Sequence, residues 1–213
     1  MAKKAAAKPV PSSTKRPFSG RAWQRMLSGR RLDLLDPSPF DIEIEDIAHG
    51  LARVARWNGQ TIGKHIFSVA QHTLLVDAIA RRQTGGVDDR LALAVLLHDA
   101  PEFVIGDMIT PFKAVIGDSY KTVEQRLQAA IHLRFGLPPA LPDEVRQIVK
   151  TADAGAAFLE ATRLAGFSTD EALGFFGPRP ALPDAIERDF LTPWPAETAE
   201  ERFLMQFNAL TKR

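Results

Sequence analysis

The sequence predicts an all-α fold, and three observations carry that prediction. Apolar residues return at three- and four-residue spacing through most of the chain. No run of strand alternation appears. Proline and glycine clusters cut the periodic stretches into helix-length pieces, roughly seven to nine of them. The 213 residues suffice for one domain with a sizeable core.

Composition narrows the function classes. Charges are balanced at 27 basic and 26 acidic residues, a formal net charge of +1. That argues against a dedicated binder of nucleic-acid polymers, which would carry a basic excess. Cysteine is absent, so disulfides and thiolate metal sites are excluded. No apolar run is long enough to cross a membrane.

In order, residues 1–20 form a basic Ala/Pro/Ser segment without an apolar core. They are expected to be a disordered tail on a cytoplasmic protein. Arg21 to Arg31 could form a short helix, followed by a proline-punctuated connector. Asp41 to Arg56 reads as a helix: Ile44, Ile47, Leu51 and Val54 give the period, and acids fill its first turn. Trp57-Asn58-Gly59 stops it, and a loop, or a small hairpin, runs to Phe67.

Ser68 suits the cap of a helix reaching Gln83. Asp88 or Asp89 starts the next one, which carries His98. Thr110-Pro111 opens a helix, interrupted near Gly117, that continues to Gly136. Pro142 begins a long helix closed by Gly166. Residues 167–184 read as a loop with one helical turn. Pro195 to Leu210 forms a last helix with Phe203, Leu204 and Phe207 on one side.

Three of these helices carry polar residues inside apolar stripes. Leu91, Ala94, Val95 and His98 share a face, and Asp99 follows directly. Val69, His72, Val76 and Ile79 form a second stripe with a histidine inside it. Asp153 interrupts a third, made of Val145, Val149, Ala152, Ala156 and Leu159. One such intrusion is common, and two buried histidines bonded to aspartates would also satisfy the pattern. Three intrusions supplying two histidines and two aspartates look like a metal shell. With only N and O donors, the ion would be Mn²⁺, Co²⁺, Fe²⁺, Ni²⁺ or Zn²⁺.

The order His72, His98-Asp99, Asp153 resembles that of the HD-domain metal-dependent phosphohydrolases. The match is closest to their bacterial 5′-deoxynucleotidase branch. The matching pieces are Arg56-Trp57, SVAQH ending at His72, HDAPE at 98–102, GDMITP at 106–111 and KTAD at 150–153. They span roughly residues 50 to 165. The resemblance implies an HD-domain helical bundle over 21–213, with its motif-bearing core at about 41–166.

It further implies one divalent ion held by His72, His98, Asp99 and Asp153. Glu102 would act on the attacking water and the leaving oxygen, and Asp107 would contact sugar or water. Arg56 would meet the phosphate and Trp57 the sugar. Lys150 could balance phosphate charge, although a solvated lysine is an equal reading. Thr110 reads first as a helix cap and second as a substrate contact. The implied substrate is a deoxyribonucleoside 5′-monophosphate, and the branch is commonly a homodimer. A triphosphohydrolase on deoxynucleoside triphosphates is the nearest rival, with Lys64, His65, Lys113 and Lys121 available as extra cations. A phosphodiesterase and a non-catalytic nucleotide sensor are the remaining alternatives.

Overall fold

Ser68 and Asp88 begin the two helices around which the site is built. The computed structural model describes residues 21–212, so the expected tail at 1–20 lies outside the described residues. The Ser68 hydroxyl accepts from the Gln71 N–H at 3.2 Å and caps α2 (Val69–Gln83). The Asp88 carboxylate accepts from the Leu91 N–H at 2.7 Å and caps α3 (Asp89–Leu96). Each side chain satisfies an amide that the first turn leaves without a partner.

Among the described residues the fold is all-α apart from one hairpin, β1 (Trp23–Arg25) and β2 (Arg31–Asp33). The helix expected over 21–31 is therefore not formed. Trp23 pairs with Asp33, Gln24 with Leu32 and Arg25 with Arg31. The reason is local: Gly29 adopts φ +87° in the turn, and only Leu32 of this segment is fully buried. The Arg21 and Arg31 guanidiniums each lie 4.4 Å from the Trp23 ring centroid.

α1 (Ile44–Leu51) is shorter than the expected 41–56. Residues 54–56 leave the helix to pair with the entry to α2. The Val69 N–H donates to the Val54 carbonyl, and the Arg56 N–H donates to that of Phe67. A backbone bond to residues a dozen positions away thus replaces the last helical turn.

Beyond α3 the chain breaks at 97–101 and resumes as the four-residue α4 (Glu102–Ile105). α5 (Thr110–Ile116) and α6 (Asp118–Arg134) meet at Gly117, and α7 (Asp143–Arg163) follows Pro142. Residues 167–184 hold more helix than one turn. α8 (Thr169–Phe176) starts at a reciprocal Ser168–Glu171 capping box, and α9 (Asp184–Phe190) follows. α10 (Ala196–Thr211) is the last helix.

Two apolar clusters fill the interior. One contains Leu51, Leu96, Ile131 and Phe203, joining α1, α3, α6 and α10. The other contains Val76, Ile79, Ala152, Ala156 and Leu159, joining α2 to α7. Small residues on α7 allow a close approach. A Cβ at Gly155 would lie 3.2 Å from Pro180 and 3.6 Å from Ile79. His72 and Asp153 lie on this α2–α7 pair.

Candidate metal centre and phosphate site

Three segments bring four donors together. His72 comes from the buried face of α2, Asp153 from α7, and His98-Asp99 from the turn after α3. The His72 Nε2 lies 3.2 Å from Asp153 Oδ1 and 3.4 Å from Asp99 Oδ2. The His98 Nε2 lies 3.3 Å from the same Asp99 oxygen. Ligand atoms of His72, His98 and Asp153 all fall within 4.8 Å of one another. Donors sharing one ion at about 2.1 Å sit about 3–3.5 Å apart, so the spacing fits a single cation.

The far nitrogen of each ring is already committed. The His98 Nδ1–H donates to the Val95 carbonyl at 2.8 Å. The His72 Nδ1–H donates to Glu160 Oε1 at 2.5 Å. Each bond fixes a tautomer whose Nε2 faces the cluster. Both Nε2 atoms are buried without a hydrogen-bond partner. A buried polar atom of that kind is costly unless something occupies it.

Electrostatics point the same way. Burial and Arg56 disfavour a charged His72, yet Glu160, Asp153 and Asp99 outweigh them and hold its pKa well above the ordinary value. Burial would raise Asp99, but His98 and His72 keep it well below the carboxylate range. The pocket therefore favours positive charge, which a divalent ion on this donor set would supply.

Around this centre lie the remaining expected residues. Glu102 opens α4 and is buried, with Oε2 unpartnered and Oε1 3.9 Å from Lys113 Nζ. Burial, then Asp99 and Asp107, push its carboxyl up to about 9. Asp107 sits in the α4–α5 connection, 3.6 Å from Arg56 Nη1, and burial raises it. Arg56 also reaches Asp99 at 3.9 Å. Trp57 packs its ring against Phe167 and Phe176, with centroids 5.5 and 5.9 Å away.

Trp57 and Asn58 both adopt left-handed backbone, with φ of 56° and 50°. For non-glycine residues this costs roughly 1–2 kcal/mol each. Strain of this kind persists only where contacts hold it.

Two expected residues stand apart. Lys150 is exposed on α7 and joins none of the ion pairs among the described residues. The Thr110 side chain lies outside the described residues. Its backbone is the first helical residue of α5, with Ile109 at the cap position, so the expected Thr cap is displaced by one residue.

Glu160 is a residue that the sequence patterns did not single out. It is fully buried on α7 and accepts from His72, Arg56 and Trp57. Its signal was present: it lies seven residues after Asp153, two turns along the same face. Lys113, one of the cations noted for a longer phosphate chain, reaches Glu102 and Glu124.

Comparison with known proteins places the chain in a family. A family model described as 5′-deoxynucleotidase YfbR-like covers residues 48–167. The chain belongs to this family of HD-domain phosphohydrolases. It is 62% identical over 163 residues to an uncharacterized protein of Rhodobacter capsulatus, covering 76% of this chain and 83% of that one. It is 35% identical over 106 residues to the uncharacterized protein YfdR of Escherichia coli, covering 50% of this chain and 54% of YfdR. It is 33% identical over 117 residues to the 5′-deoxynucleotidase YfbR of Shigella flexneri, covering 47% of this chain and 59% of YfbR. The chain thus spans little more than half the length of the latter two. Among the described residues no helix is long and apolar enough to cross a membrane.

Proposed function

We propose that this protein is a metal-dependent phosphohydrolase acting on a deoxyribonucleoside 5′-monophosphate, giving deoxynucleoside and phosphate. The observation that carries the proposal is the pair of orphaned Nε2 atoms of His72 and His98, facing Asp99 and Asp153 beside the Arg56 guanidinium. Family membership and the 33% identical relative named as a 5′-deoxynucleotidase support it.

His72, His98, Asp99 and Asp153 would hold the ion. When bound, it supplies Lewis acidity to a phosphoryl oxygen and lowers the pKa of a water. Arg56 offers Nη1 on the side of Asp99 and Asp107, where a phosphoryl oxygen would draw it from those carboxylates. Glu102 holds a proton at neutral pH because burial and neighbouring carboxylates raise its pKa. It is placed to give that proton to the 5′ oxygen as the phosphorus–oxygen bond breaks. Asp107 and the Trp57 ring are the groups left to contact the sugar.

Lys113 is the observation that favours the triphosphate rival, since of the four extra cations it alone pairs with a site carboxylate. It is already shared between Glu102 and Glu124, which argues for a single phosphate group. Single-domain organisation over 21–213, a homodimer and a cytoplasmic location complete the proposal.

The test is orthophosphate release from chelator-treated protein given Mn²⁺ or Co²⁺ and a panel of nucleotides. Release from deoxynucleoside monophosphates, little from ribonucleotides, and loss of release in Asp153→Ala are expected. Triphosphate release from deoxynucleoside triphosphates would move the protein to the rival reaction. No release from either class would overturn both the monophosphate and the triphosphate readings and leave the phosphodiesterase and sensor alternatives.

A further inference from the structure

The buried carboxylate of Glu160 joins parts of the site that come from three different segments. Oε1 accepts from His72 Nδ1 at 2.5 Å. Oε2 accepts from Trp57 Nε1 at 2.9 Å and from both Nε and Nη2 of Arg56 at 3.3 Å. α2 and the strained turn at 56–59 are thus fastened to one point on α7, two turns from Asp153.

We propose that Glu160 is a positioning residue that couples cation affinity to substrate recognition. This rests on the metal-dependent phosphohydrolase reading above.

Three consequences follow from the geometry. The bond to Glu160 places the proton of the neutral His72 ring on Nδ1 and turns Nε2 towards Asp99 and Asp153. The rear edge of the Arg56 fork is occupied, so only Nη1 is presented to the site. The Trp57 indole is tied by its N–H, which sets the ring against Phe167 and Phe176 despite its left-handed backbone.

A charge is not needed there for stability alone, because well-packed apolar side chains commonly replace buried ion networks without loss. A carboxylate that accepts from a candidate cation ligand, a phosphate-facing arginine and a sugar-facing tryptophan is explained by orientation.

The experiment compares wild type, Glu160→Gln and Trp57→Phe, with Glu160→Asp as the conservative variant. Mn²⁺ affinity of the chelator-treated proteins is read by calorimetry, and KM and kcat for dAMP are read separately. Glu160→Gln should weaken Mn²⁺ binding about 10- to 100-fold and raise KM. Trp57→Phe removes the indole N–H bond and trims the ring packed on Phe167 and Phe176, yet leaves the Glu160–His72 bond, so it should raise KM and leave Mn²⁺ affinity unchanged. Glu160→Asp keeps the charge and should recover part of the Mn²⁺ affinity. It also serves as the test if the glutamine variant does not fold, its Mn²⁺ affinity then lying about 3- to 10-fold below wild type with a raised KM.

Wild-type Mn²⁺ affinity in Glu160→Gln, or in Glu160→Asp with unchanged KM, would overturn the positioning role while leaving the phosphohydrolase reading intact. Absence of Mn²⁺ binding in the wild type would overturn both.

Discussion

Glutamine at position 102 should make the metal-free protein more stable and the enzyme inactive. Glu102 is buried, its Oε2 has no partner, and its carboxyl is pushed up to about 9 by burial, Asp99 and Asp107. Its ordinary value is 4.5. A raised folded pKa favours folding fully only below the unfolded value. Between 4.5 and about 9 the folded chain must keep a proton that the unfolded chain has released, so stability falls as pH rises. At pH 7 the accumulated penalty is about 3 kcal/mol, taken at 1.36 kcal/mol per pH unit. Loss of the 3.9 Å contact to Lys113 offsets a few tenths of that, since the lysine is partly exposed.

Glutamine has the shape of the protonated acid and carries no such penalty. Glu102→Gln should therefore raise Tm by about 5–10 °C at pH 7, at roughly 2–4 °C per kcal/mol for a chain of this size. The gain should grow from pH 5 to pH 8.5. Turnover should fall about 10²- to 10⁴-fold, the usual worth of one positioned proton donor. Calorimetric melts of chelator-treated protein across that pH range are the assay. Parallel Tm curves for the two proteins, or a variant that melts lower at high pH, would refute the argument that a neutral carboxyl is buried here.

Three further outcomes follow from single contacts. Glu187 is buried between Arg163 and Arg179, and burial opposes its charge while the two arginines lower its pKa. Its contribution is present above 4.5 and is lost as pH falls through the lowered value. Glu187→Gln should cost about 1–2 kcal/mol in urea unfolding at pH 7 and progressively less as pH drops below 4, the arginines being half exposed. A Cβ at Gly50 would lie 2.7 Å from the Phe103 carbonyl and 2.9 Å from its Cβ. Gly50→Ala should therefore lower stability by about 1–3 kcal/mol and reduce kcat by shifting α4 and Glu102, measured by melting and steady-state kinetics. Lys150→Ala should change turnover by no more than about twofold, as expected of an exposed surface position. A tenfold loss would return Lys150 to the phosphate.

Legibility in the sequence followed the range of the interaction. His72, His98 and Asp153 stood out because a polar residue inside an apolar helical stripe is a local anomaly, and their order carried the family. Ser68 and Asp88 were legible as caps for the same local reason. The end of α1 was not, because Val54 and Arg56 are bonded to residues 69 and 67 beyond an intervening loop. The hairpin at 23–33 escaped because three-residue strands are too short for alternation to register. α8 carried a readable Ser168–Glu171 signature, yet the glycines and prolines that follow outweighed it. Glu160 was hidden for a different reason: a lone glutamate on a helix ordinarily faces water, and only the meeting of α2, α7 and the 56–59 turn makes it interior.

That meeting also explains why the site sits where it does. Asp99, Asp107, Asp153, Glu102 and Glu160 crowd around a single arginine and two buried imidazoles. Such a group repels itself, and the raised pKa of Glu102 together with the demand for charge at His72 are two expressions of that repulsion. Two well-packed apolar clusters on either side supply the stability that lets the arrangement persist. A divalent ion would relieve the repulsion at the histidines and make a phosphate dianion acceptable next to Arg56. On the proposed reading these charges favour cation before phosphate, with Glu160, bonded to His72, Arg56 and Trp57, linking the two.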